Sequence, residues 1–153
     1  MADAKRTLTI GEEALLRTIF RDKITYSKVV VHSERWSWPF PGDRAMAPNG
    51  EVYFPGHEYA ADFSSAATAL SKRATFVHEA AHLYQWYGLD RTVWLRGAFD
   101  RNYDYTLEPN KAYPDYGLEQ MGSIAQDYYI LREGGTHTRY VLADYAALLP
   151  LKP

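Results

Sequence analysis

The run Phe76-Val77-His78-Glu79-Ala80-Ala81-His82-Leu83 places two histidines four residues apart, with a glutamate directly after the first. On an α-helix, positions four apart share a face, so the two imidazoles converge on one point about a turn apart. Glu79 lies one residue further round. It is poorly placed to ligate the same ion but well placed to hydrogen-bond a water that the ion holds. The chemistry this spacing suggests is metal-assisted hydrolysis, with His78 and His82 as metal ligands and Glu79 as general base. The plainer alternative is two core histidines beside a solvated glutamate. Val77, Ala80, Ala81 and Leu83 argue against it, because they imply a buried face on which unpartnered imidazoles and a carboxyl would be costly.

A catalytic zinc ion takes three protein ligands and leaves the fourth position to water. The chain has no cysteine, so the third ligand must be histidine or carboxylate. His32, His57 and His137 are the other histidines, and the LYQWYGLDR that follows His82 has no third histidine at short spacing. A carboxylate on a second helix is the usual substitute. Glu119, near the start of a predicted helix, is preferred over Asp127 and Glu133 further along it. Its other reading is a helix-N-terminal acid that complements the macrodipole. Tyr103, Tyr105, Tyr113, Tyr116, Tyr128 and His137 are all candidate donors to an oxyanion, and the spacing does not choose among them. Trp36 and Trp38 could edge a cleft, although packing beneath a hairpin is the simpler expectation.

These residues need elements to hold them. Thr9 and Glu12 have capping-box spacing and open a helix over residues 10–21. Thr25 to His32, with Val29, Val30 and Val31 in a row, reads as a strand. WSWPFPGDR reads as a loop, and Arg44 to Ala47, Pro48-Asn49-Gly50 and Glu51 to Phe54 as a β-hairpin. Ser71 to Tyr87 reads as the HExxH helix, with Gly88 at its C-terminus. Further helices are expected over Asp90–Asp100, Leu118–Arg132 and Thr138–Leu148, with residues 102–116 irregular between them. Early strands and late helices make the fold class α+β, and 153 residues without repeats or linkers suggest one domain, residues 1–153.

Composition narrows the partners. A formal net charge of −2 with no basic stripe argues against nucleic acid. No segment approaches the ~18 apolar residues of a membrane span. The polar N-terminal MADAKRTLTIGEEALL lacks the apolar stretch of a signal peptide, so the expectation is synthesis without one.

Taken in order, LTIGEEALLRTIF, the strand to His32, AMAPNGEVYF, FVHEAAHLYQW and YGLEQMGSIAQDYY resemble one known group over residues 8 to 132. It is the metallopeptidase domain fused to some VgrG spike proteins of type VI secretion systems, together with the stand-alone Vgr-related proteins. The resemblance implies a compact zincin-like fold of gluzincin type, with a small β-sheet over the HExxH helix and a second, Glu-bearing helix. It implies Zn²⁺ on His78, His82 and Glu119 with Glu79 as base. It also implies an antibacterial effector made in the cytoplasm, carried by a secretion spike to a target cell's periplasm and matched by an immunity protein. The activity expected is hydrolysis of peptide bonds in peptides or proteins, and an alternative is a murein endopeptidase that cuts the peptides of peptidoglycan cross-links. A non-catalytic cargo or adaptor with a structural metal is the remaining alternative. One position departs from thermolysin-like gluzincins, which carry Asp four residues after the Glu ligand. Here Ser123 stands there, which leaves the support of a ligand histidine to Ser123, Asp127 or a residue the spacing does not reveal.

Overall fold

The computed structural model describes residues 4–35, 44–91, 101–136 and 139–153. Helix α1 spans Ile10–Phe20. The Thr9 hydroxyl accepts from Glu12 N, and the Glu12 carboxylate accepts from Thr9 N at 2.9 Å, so the capping box closes as the spacing predicts. Glu12 is fully buried, and it also takes a bidentate pair from Arg6 and the Phe63 amide. One carboxylate thus ties the start of α1 to the Arg6 segment just before it and to the distant Phe63.

The sheet has three strands in the order β1 (Lys5–Thr7), β2 (Val30–His32) and β3 (Val52–Tyr53). β1 pairs antiparallel with β2, Arg6 opposite Val31, and β2 pairs parallel with β3, Val31 opposite Val52. The strand expected from Thr25 is shorter than its β-branched run. Tyr26–Lys28 form a 3₁₀ turn, with the Tyr26 hydroxyl on Arg21 O at 2.7 Å, and only Val30–His32 pair. The three-residue β1 sets that limit, because a strand extends only where a partner meets it. The expected hairpin is present as a single antiparallel bridge, Met46 to Tyr53, on the far side of β3. Gly50 turns it with φ +83°, and a Cβ there would sit 2.7 Å from Trp86 Nε1. The turn is therefore seated on the end of the HExxH helix.

Helix α2, Leu70–Tyr87, carries that motif, and helix α3 spans Leu118–Arg132. From Phe76 to Gln85 every residue of α2 is buried, so this helix is enclosed on all sides and not amphipathic. It packs chiefly on α3. Around this pair lie Leu16, Ile19, Val31, Phe54, Phe63, Leu83, Met121 and Ile124, all fully buried. The helix expected over Asp90–Asp100 falls on residues 92–100, outside the described residues. The WSWPFP loop with Trp36 and Trp38 also lies outside them.

The helix expected over Thr138–Leu148 is a correction. The described part of that segment holds one 3₁₀ turn, Leu142–Tyr145, with Asp144 capping the Val141 amide at 2.9 Å. Tyr140 stacks on the Tyr105 ring, and the Tyr145 hydroxyl meets the Tyr105 hydroxyl at 2.5 Å. Residues five apart on an α-helix point about 140° from each other. A regular helix could not bring both rings to one tyrosine.

Candidate metal centre

Two helix faces build the site. On α2, His78, His82 and Gln85 recur at i, i+4 and i+7. On α3, Glu119, Gly122 and Gln126 recur at i, i+3 and i+7. Glu119 lies in the first turn of α3, whose start is fixed by Gln120 accepting the Gly117 amide at 2.8 Å. The helix N-terminus favours its negative charge. His78, His82 and Glu119 each offer one ligand atom, and these atoms lie within 4.8 Å of one another. Glu119 Oε1 is 3.4 Å from His78 Nε2 and 2.6 Å from His82 Nε2. All three are buried, as is Glu79.

The far nitrogens of the two imidazoles decide how the near ones face. Gln85 Oε1 is 2.9 Å from His82 Nδ1, while Gln85 Nε2 donates to Leu118 O at 2.9 Å. That second bond fixes the amide orientation, so its oxygen faces the imidazole and His82 Nδ1 donates. Gln126 Oε1 lies 3.0 Å from His78 Nδ1 in the same relation. With both Nδ1 atoms engaged, both Nε2 atoms turn toward the Glu119 carboxylate, with a proton between His82 and Glu119 in the position a cation would take. Such a trio of electron donors, oriented from behind by hydrogen-bond acceptors, fits a divalent cation. Ligand atoms around tetrahedral zinc stand about 3.3 Å apart, close to the His78–Glu119 separation.

Charge follows from the same packing. Burial pulls His82 down, but the Glu119 carboxylate outweighs it and pushes the imidazole up to about 9. Burial raises Glu119, yet His82 and His78 hold it far below the usual carboxylate range. A proton shared at His82 thus balances Glu119 where a cation would. Burial raises Glu79 above its ordinary value, with the two histidines opposing.

These groups open into a cleft of about 290 Å³ whose walls include Arg44 to Pro48, Tyr103 and Ser123. Met46 exchanges both backbone bonds with Tyr53, at 3.0 and 2.8 Å. The backbone groups of Ala45 and Ala47 consequently point to the opposite edge, the one beside the cleft. Of the five candidate tyrosines, Tyr103 alone lines this cleft, its ring 6.0 Å from that of His78. Tyr105 bonds Asp127 and Tyr145, Tyr113 bonds Met121 O, Tyr116 accepts the Glu108 amide, and Tyr128 lies beside Tyr145. His137 lies outside the described residues. Asp127 is taken by Tyr105 and Glu133 by Arg73, so neither competes with Glu119. His32 pairs with Glu51 and stacks on Tyr53. Of the three options left for supporting a ligand histidine, Ser123, Asp127 or a residue the spacing did not reveal, the structure shows the third: Gln126 stands behind His78 and Gln85 behind His82. Both were visible as polar residues on the ligand faces, seven positions from Glu119 and from His78.

Fold and site together define a compact α+β domain whose two central helices present a His–His–Glu group able to hold a metal ion. No family model matches the chain. Among curated proteins it is 37% identical over 139 residues to the type VI secretion system spike protein VgrG2b of Pseudomonas aeruginosa. That match takes in 84% of this chain and spans only 13% of the spike protein's length. Among solved structures, the effector domain of Pseudomonas aeruginosa VgrG2b aligns with a TM-score of 0.78 and 32% identity. The alignment covers 95% of this chain and 84% of that one. The chain belongs to the family of the VgrG2b effector domain.

Proposed function

We propose that residues 1–153 form a single zinc-dependent metallopeptidase domain that acts as an antibacterial effector. The observation that carries this reading is the pair of glutamine-oriented histidines facing Glu119, with the buried Glu79 beside them. His78, His82 and Glu119 would hold the ion. Nitrogen and carboxylate donors without cysteine suit zinc in its catalytic form. When bound, zinc supplies Lewis acidity toward water and the scissile carbonyl. Glu79 takes the proton of the attacking water and returns it to the leaving amine, and its raised pKa brings it closer to neutral, where a general base works best. Tyr103 donates its phenolic proton to the developing oxyanion. An extended peptide pairs with the Ala45–Ala47 edge through the Ala47 backbone and the Ala45 carbonyl, since the Ala45 amide is held by Glu58.

The relative is named as a secretion spike protein and its solved domain as an effector. On that likeness this chain would travel with a spike to a rival bacterium, act in its periplasm and be neutralised by an immunity protein in its producer. No helix among the described residues is long and apolar enough to cross a membrane. Zinc content, hydrolysis of casein and digestion of purified sacculi test the reading, with Glu79→Gln as control. The expected result is stoichiometric zinc in both proteins and hydrolysis only with Glu79 present. Digestion of sacculi alone would make the substrate murein cross-link peptides. Zinc without any hydrolysis would leave the adaptor alternative. Expression with an added export signal should harm a test bacterium, and Glu79→Gln should abolish the harm.

A further inference from the structure

Among the described residues lining the cleft, Arg44 alone carries a permanent positive charge. Its Nη1 donates to the Tyr103 hydroxyl at 2.6 Å, and Tyr103 lies against His78. That bond uses one N–H of the guanidinium fork. Arg6, Arg17 and Arg73 each pair with a carboxylate. Arg44 has no carboxylate partner among the described residues. Glu58, the acid on the same wall, is taken by the Ala45 amide at 2.7 Å. Arg44, an exposed residue, thus reaches the rim of the site through Tyr103 with most of its fork unused. It also directly precedes the backbone edge of Ala45 and Ala47.

We infer that Arg44 is a specificity-determining residue that binds a carboxylate of the substrate within a residue or two of the cleaved bond. The inference rests on the peptidase reading of this cleft. A peptide on the edge advances about 3.4 Å per residue, so the residue next to Arg44 is close to the one over the histidines. A planar fork pairs with a carboxylate by two parallel hydrogen bonds and loses them against an amide. The carboxylate has two possible sources, an acidic side chain or a free chain end.

The test uses the zinc-loaded full chain and a short synthetic peptide library varied over Ala, Asn, Asp, Gln, Glu and Lys. The library is made in free-acid and C-terminally amidated forms, with cut bonds read by mass spectrometry. A side-chain source predicts about tenfold preference for Asp or Glu over Asn or Gln at one position. A terminal source predicts the same preference for free acids over amides. In either case Arg44→Gln erases the preference and Arg44→Glu transfers it to Lys. A preference that survives Arg44→Gln overturns the inference, as does its absence in the parent protein. A kcat loss equal for acidic and amide substrates also overturns it, since Arg44 would then only orient Tyr103. Binding of fluorescein-labelled Asp, Asn, free-acid and amide peptides to Glu79→Gln is measured alongside by anisotropy. Arg44-dependent discrimination in binding without hydrolysis by the parent would sink the peptidase reading and keep this one. Hydrolysis without discrimination would do the reverse.

Discussion

Gly122→Ala should dismantle the metal centre without touching a ligand. A Cβ at Gly122 would lie 2.6 Å from His78 Nε2, 2.7 Å from Cε1 and 2.8 Å from Cδ2. Non-bonded heavy atoms rest near 3.5 Å, so the ring must retreat by about 0.8 Å. Metal-ligand distances tolerate only about 0.2 Å. The ring cannot retreat freely either, because Gln126 holds its Nδ1 at 3.0 Å. Zinc affinity should fall by at least the roughly 10–100-fold seen when a ligand's supporting group is lost. Helix propensity alone has the opposite sign. Alanine inside a helix is favoured over glycine by about 1 kcal/mol, so an unobstructed site would become more stable. Competition against a chromophoric chelator measures the affinity, and thermal unfolding of the metal-free protein measures the clash. Gly56→Ala, where an added Cβ meets nothing within 4 Å, is the control. Unchanged zinc affinity together with a raised melting temperature in Gly122→Ala would refute the placement of His78 against α3.

Gln85→Leu removes the acceptor for His82 Nδ1 and the donor to Leu118 O, both in a fully buried setting. It should lower zinc affinity about 10–100-fold and stability by about 1–3 kcal/mol, read by the same competition and by urea unfolding. Glu119→Gln should abolish tight zinc binding, whereas Glu133→Gln, which loses part-exposed pairs with Arg73 and Arg132, should leave it unaltered; equal losses would move the ligand elsewhere. Burial pushes the Tyr145 phenol up to about 12, with Tyr105 opposing and Asp127 reinforcing. The folded protein therefore keeps this proton longer than the unfolded chain, so stability is intact below about pH 10 and falls as pH rises toward the folded value. Urea midpoints across that range should show a shallower alkaline decline in Tyr145→Phe, and an identical slope would mean that Tyr145 does not contribute.

What the sequence made legible was whatever is decided locally. The capping box at Thr9 and Glu12, the α2 boundaries and Leu118–Arg132 depend on neighbours within a turn or two, and they form within a residue or so of expectation. Strand length depends on a partner far away in the chain, which is why eight residues from Thr25 shrink to the three that β1 can meet. The last segment failed for a related reason: its helical periodicity was outweighed by Tyr105, which draws in both Tyr140 and Tyr145. In the site the same division holds. Four-residue spacing brings His78 and His82 together on α2, and the place of Glu119 at the start of the second helix already favours it over Asp127 and Glu133; the packing then puts that first turn of α3 against the histidines. Gly122 stood in plain view inside a helix, where it costs about 1 kcal/mol against alanine, and that cost called for a reason. The reason is the His78 ring, and it appears only when the two helices are brought together. Gln85 and Gln126 were equally visible as polar residues on the ligand faces. Their roles depend on which amide atom faces the imidazole, and for Gln85 a backbone carbonyl on the other helix fixes that. Ligands are thus readable from one helix at a time, whereas the groups that aim them belong to the interface between two.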